Sequence, residues 1–196
     1  MHPAIEILMH EHRAIEQVLD SLLCFLEHIE PHHRPTVARY AEFIRLFADK
    51  CHHGKEEDRL FVRMSDSGFP RDRGPIAVMV SEHDQGRAHA GVLTAIGEGS
   101  GPMTDQELQE VRHNAQQYAS LLRNHISKED TILYPMALRA IPTDQLDALV
   151  AQYEAFERGV IGEGEHARLH SLAHELVTQY PPRDAHDEVH ACAGCF

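Results

Sequence analysis

A chain of 196 residues is long enough for one domain that buries most of its apolar surface without covalent staples. Its formal charge of −13, with 18 Lys+Arg and no basic block, argues against a nucleic-acid or anionic-membrane partner. No long apolar run occurs, the N-terminus carries charge and histidine where a leader would be apolar, and the four cysteines lack the spacing of a disulfide framework, so a soluble cytoplasmic protein is expected. Residues 3 to 30 read as one helix. Ile5, Leu8, His12, Ile15, Leu19, Leu22, Leu26 and Ile29 follow one another at steps of three and four, a bundle-type seam.

The segment from Pro31 to Pro35 breaks that helix. A second, from about Thr36 to Ser65, carries Phe43, Leu46, His53, Glu57, Leu60 and Met64 on one face before DSGFPRDRGP turns the chain. The third starts near Pro75, a good first-turn residue, and points Ile76, Met79, Val80, His83, Ala90 and Leu93 inward until GEGSGP stops it. The fourth opens on the capping box Thr104-x-x-Glu107 and runs to about Leu138. Its seam is Leu108, Val111, Ala115, Tyr118, Leu122, His125, Glu129, Ile132 and Met136.

Two shorter helices follow, about 143 to 158 and 164 to 178, with Leu146, Leu149, Tyr153 and Phe156 on the first and Leu169, Leu172, Ala173 and Leu176 on the second. The expected fold class is all-α: an up-down antiparallel four-helix bundle over 1–140, a helical extension over 141–180 packed on it, and a polar tail over 181–196.

Histidine is the anomaly of the composition, at 17 residues, and an excess of the commonest metal-ligand side chain invites a metal. The second helix contains His53-Gly54-Lys55-Glu56-Glu57 and the fourth His125-Ile126-Ser127-Lys128-Glu129, both H-x-x-x-E. Four helical residues advance about 6 Å and overshoot one turn by about 40°, so imidazole and carboxylate leave the same face at adjacent levels. One such pair is more often solvated than bound to anything. Two of them, joined by His12 and His83 and all in phase with the apolar seams, converge from four helices. An ionised glutamate alone in a core costs several kcal/mol or shifts its pKa, and two in one core need a cation. Mixed N/O ligation without thiolate suits iron, manganese or zinc, and bridging carboxylates suit two irons. Cys51, two positions from His53, reads as core filling.

At these residues the chain resembles the hemerythrin-like (HHE cation-binding) family, in the order H…HxxxE…H…HxxxE. ILMHEHRAIEQVL resembles the family's first helix, FADKCHHGKEEDRLF its second, GPIAVMVSEHDQGR its third and LLRNHISKEDTILYPMA its fourth. The resemblance implies that His12, His53, Glu57, His83, His125 and Glu129 are metal ligands. It further implies that Glu57 and Glu129 each bridge two non-haem irons joined by an oxo or hydroxo group, with zinc or manganese as the alternative metal. Oxygen-carrying hemerythrins have HxxxH on the third helix and HxxxxD on the fourth. Here position 87 is Arg and the fourth helix offers Glu129, so the five-histidine set is incomplete. That leaves an open position or a substitute ligand, for which Glu56, His89, Tyr118 and the ladder His166-His170-His174 are available. Tyr118 reads as core and the ladder as a half-exposed face.

Relatives of this order resemble stress proteins, which implies reaction with, or response to, dioxygen, peroxide or nitric oxide under oxidative or nitrosative stress, and so a possible oxidoreductase. The alternative is a module that binds, stores or senses iron or oxygen without turnover. The partner is then a small diatomic or peroxide ligand, with no nucleic acid and no membrane. Cys192-Ala-Gly-Cys195, beside His190, could bind zinc or cycle between thiol and disulfide, but with a single CxxC and no fourth zinc ligand it reads first as a flexible tail with free thiols.

Overall fold

The computed structural model describes residues 1–182; the CxxC of the tail, Cys192 and Cys195, lies outside the described residues. Among these, every regular element is helical. Helix α1 spans Pro3–Glu27, α2 runs over 34–66, α3 is Gly74–Gly97, α4 runs over 105–140, α5 over 143–161, and α6 is Glu165–Gln179. None is long and apolar enough to cross a membrane. The bundle is formed by α1 to α4, with α5 and α6 as additional C-terminal helices.

Local chemistry sets the boundaries. In α1 the His2 Nδ1 accepts the Ala4 amide and Pro3 occupies the first turn, where its missing N–H costs nothing. α1 stops at Glu27, three residues short of the sequence expectation, and a single 3₁₀ turn, Pro31–His33, leads into α2. Pro35 lies inside the first turn of α2 instead of before it. Buried Arg34 fixes this corner by donating from Nη2 to both Glu107 carboxylate oxygens, at 2.9 Å, and from Nε to Gly101 O at 2.8 Å. Glu107 also closes the capping box that starts α4: its amide donates to Thr104 Oγ1 at 3.2 Å, and the Thr104 amide donates to its carboxylate at 2.7 Å.

Three helices depart from uniform α geometry, α5 among them over Glu157–Ile161. α2 is π-helical over Ile44–His53 and again over Glu56–Leu60, and α4 is π-helical over Glu129–Leu133. The consequence shows in what is buried. Ile44, Ala48, His52, Glu56, Leu60 and Met64 are all buried at a constant spacing of four. In an unbroken α-helix five such steps would carry the last residue about 200° off the face of the first, and the i→i+5 turns unwind that drift. In α4 the seam after Glu129 moves by one residue to Leu133, Tyr134 and Ala137, leaving the expected Ile132 55% exposed.

The core is in two parts. One apolar cluster holds Ile15, Leu19, Phe25, Phe47, Leu93, Val111 and Leu122 together with Leu169 and Leu176 of α6. The other holds Ile5, Leu8, Leu60, Met79 and Leu133 with Leu146, Leu149 and Tyr153 of α5. Between them, in chain order on every bundle helix, lies a layer of buried histidines and glutamates.

Candidate metal centre

Seven residues make this layer: His12 from α1, His52, His53 and Glu56 from α2, His83 from α3, and His125 and Glu129 from α4, each at most 3% exposed. They form two groups, His53/Glu56/His83/His125 and His12/His52/Glu56/Glu129, in each of which one ligand atom per residue lies within 4.8 Å of all the others. Glu56 belongs to both. Glu129 also reaches across, with Oε1 3.1 Å from His125 Nε2 and Oε2 3.2 Å from His12 Nε2. The Tyr134 hydroxyl donates to Glu56 Oε1 at 2.8 Å and stands 3.2 Å from His12 Nε2.

Of the six residues singled out in the sequence, His12, His53, His83, His125 and Glu129 are brought together. Glu57 is not. It is half-buried at the rim, where its Oε1 accepts from His83 Nδ1 at 2.7 Å and from Arg87 Nη2 at 2.7 Å. The interior carboxylate of α2 is its neighbour Glu56, and His52 is the residue that sequence reasoning missed. Both differences have one cause. The phase read for α2 assumed 3.6 residues per turn, whereas the π-helical stretch lets adjacent His52 and His53 both face inward and makes His52-x-x-x-Glu56 the aligned pair. The four-residue spacing of buried positions was the available signal. His89 instead pairs with Asn114, at 3.0 Å, and Tyr118 and Cys51 are buried core. Burial pushes the Cys51 thiol up to about 12, keeping it protonated.

Behind the layer runs a ring of carboxylates. Glu11 of α1 meets His52 of α2 at 2.9 Å, Glu57 of α2 meets His83 of α3 at 2.7 Å, Glu82 of α3 meets His125 of α4 at 2.9 Å, and Asp130 of α4 meets His12 of α1 at 2.7 Å. Every contact is to Nδ1, and every carboxylate is the sequence neighbour of an inward residue on its own helix: Glu11-His12, Glu56-Glu57, Glu82-His83 and Glu129-Asp130. Neighbours on a helix diverge by about 100°, so the inward residue and the one that reaches the next helix alternate naturally. Each carboxylate is then capped by a cation from the helix whose histidine it serves: Lys55, Arg87, Lys128 and Arg13 respectively. His53 Nδ1 lies 3.4 Å from Asp49, which Arg87 also engages.

This arrangement fits a metal. An ionised carboxylate only accepts, so each paired Nδ1 carries the hydrogen and each neutral imidazole turns an Nε2 lone pair inward. His83 and His125 then face each other Nε2 to Nε2 at 3.0 Å, two lone pairs in contact unless a cation or proton lies between. Among the described residues, His52 Nε2, both His53 nitrogens, Glu56 Oε2 and both Glu129 oxygens are buried without a hydrogen-bond partner. Such groups are costly to bury unmatched.

Electrostatics show the same conflict. Burial and the neighbouring Glu129 push Glu56 well above the usual carboxylate range, while His125 and His12 outweigh burial and hold Glu129 well below it. Burial, reinforced by the facing imidazoles, drives His53 and His83 well below the ordinary histidine value. His12 moves the other way, to about 9, because Asp130 and Glu129 outweigh its burial.

A four-helix bundle with imidazoles and carboxylates converging at mid-height defines the class of bundle-core cation-binding proteins. The hemerythrin HHE cation-binding domain matches residues 4–137, and the chain belongs to that family. No curated protein and no solved structure matched the chain.

Proposed function

We propose that this chain binds two non-haem iron ions in the seven-residue layer and reacts with or responds to dioxygen, peroxide or nitric oxide. The observation that carries the reading is the pair of ligand groups sharing Glu56, with buried polar atoms that no hydrogen bond satisfies among the described residues. His53, His83 and His125 would hold one ion and His12 and His52 the other, with Glu56 available to both and Glu129 beside the second. Zinc alone would account for nitrogen ligation, but one carboxylate shared by the two groups and a second, Glu129, lying near both His12 and His125 suit a dinuclear iron pair. Iron supplies one-electron redox chemistry and affinity for small oxidants.

The chain's own residues do the rest. The unequal division of imidazoles, three against two, makes the His12/His52 side poorer in nitrogen and the better candidate for taking up a small exogenous ligand. There the Tyr134 hydroxyl stands between Glu56 and His12, placed to hold or pass a proton. The apolar clusters above and below exclude bulk water, and the outer carboxylates hold each imidazole in its tautomer. This reading places the chain among proteins of oxidative or nitrosative stress.

The test is metal analysis of anaerobically iron-loaded protein followed by peroxide consumption. Two irons per chain and turnover above that of free iron are expected. A single zinc would overturn the iron reading, and two irons without turnover would leave a binding or sensing module.

A further inference from the structure

Three of the four outer carboxylates are served by the bundle alone, each capped by a partly exposed Arg or Lys: Asp130 by Arg13, Glu57 by Arg87 and Glu82 by Lys128. The fourth is built differently. Glu11 is 4% exposed and Lys55 is fully buried, whereas Glu157 and His166 at the edge of this quadrant are partly exposed. A buried ammonium with one carboxylate has unfilled donors, and the missing partners come from the C-terminal helices. Glu157 Oε1 of α5 accepts from Lys55 Nζ at 2.7 Å, and His166 Nε2 of α6 lies 3.2 Å from Glu11 Oε1. The other Glu11 oxygen holds His52 Nδ1 at 2.9 Å, and His52 Nε2 faces the layer unpartnered. Both α5 and α6 lie beyond the 4–137 match.

We propose that the C-terminal helices are a working part of the metal centre, and that His166 is a positioning residue that fixes Glu11 and, through it, the His52 imidazole. The proposal rests on the two-metal reading above. Glu11 has two oxygens and two tasks: it must keep one on His52 while the other is shared by Lys55 and His166. Without His166 the carboxylate can rotate toward Lys55 alone, and His52 loses the contact that sets its tautomer and ring angle. The helix is anchored independently of this contact, through Leu169, Leu172 and Leu176 in the apolar core and through Ser21 Oγ, which donates to Leu176 O at 3.0 Å. Loss of the His166 side chain therefore removes a hydrogen bond and leaves the helix docked.

The experiment titrates the full-length chain anaerobically with ferrous ion against a competing chelator, and records Mössbauer spectra of the ⁵⁷Fe-loaded forms. For His166→Ala, one of the two ions should bind more weakly, by up to about 10-fold, the low end for losing the direct partner of a metal-bound histidine, here Glu11. One of two Mössbauer doublets should shift and the other stay. His166→Gln, which can still donate to Glu11, should restore both. Leu169→Ala, a core truncation in the same helix, should lower the melting temperature and leave both affinities unchanged. Equal metal loss in His166→Ala and Leu169→Ala would reduce the role to docking and overturn the proposal, as would an unchanged spectrum in His166→Ala. A wild-type chain that binds no iron would instead overturn the two-metal reading itself.

Discussion

At the residue scale, adjacent glutamates have opposite duties. Glu56 is fully buried, belongs to both ligand groups and is bonded to Tyr134, while Glu57 sits at the rim between His83 and Arg87. Replacing Glu56 by Gln removes an anion that two cations would share, so the iron content of Glu56→Gln should fall below two per chain and at least one ion should be lost on gel filtration. Glu57→Gln keeps the shape and an acceptor oxygen at the rim but loses the charge that polarises His83. Both ions should stay bound, with affinity down about 10- to 100-fold, as for other outer partners of ligating histidines. Metal analysis and chelator competition on the two variants separate the cases, and the reverse ranking would restore Glu57 to the interior. Arg87 follows from the same geometry. It stands where oxygen carriers have a histidine, and here it caps Glu57 and Asp49, the carboxylates beside His83 and His53.

At the element scale the π-turns decide what a sequence can reveal. His125 and Glu129 were legible because α geometry runs unbroken to Lys128, so a spacing of four keeps its meaning there. His12 and His83 were legible for the same reason on α1 and α3. Glu56 and His52 were not, because a seam read at 3.6 residues per turn drifts away from the constant spacing of four that the π-helical stretches keep on one face from Ile44 to Met64. Ile132 failed likewise, as the π-turn at Glu129–Leu133 adds one residue to the seam. Deleting Ile132 should remove that extra residue and let Leu133 and Ala137 occupy the faces an ordinary α-helix gives them. The deletion variant should fold, with a smaller loss of stability than Leu133→Ala, for which about 2–5 kcal/mol is typical. Urea melts of the two compare them, and an unfolded deletion variant would show the π-turn to be required. Gly54 marks a related constraint on α2. A Cβ there would lie 2.7 Å from Phe156 Cζ, in a ring that is 3% exposed. Gly54→Ala gains about 1 kcal/mol of helix propensity but meets overpacking of about 1–3 kcal/mol, so net destabilisation is expected. Adding Phe156→Leu should recover part of it in a double-mutant cycle.

At the scale of the whole molecule, a buried polar layer divides one core into two, and the metal-free state bears that cost through every bundle helix at once. A cation pair that binds only the folded chain stabilises it by mass action, by about 4 kcal/mol when free metal exceeds its Kd about 1,000-fold. For a chain of this size each kcal/mol shifts the melting temperature by about 2–4 °C, so an upward shift on the order of 10 °C is expected on anaerobic loading. The sign of its pH dependence follows from the ligands: imidazoles must be neutral and carboxylates ionised to bind, so protons compete with metal. The metal-induced shift should therefore grow as pH rises toward about 9, where His12 loses its proton, and shrink as pH falls below that, with protons released on loading at neutral pH. Thermal melts with and without ferrous ion across pH 5 to 8 measure both effects. A shift that is equal at the two ends of that range would mean that the ion binds at exposed carboxylates and not in the layer, because only the layer makes the stability of all four helices depend on five histidines keeping their lone pairs free.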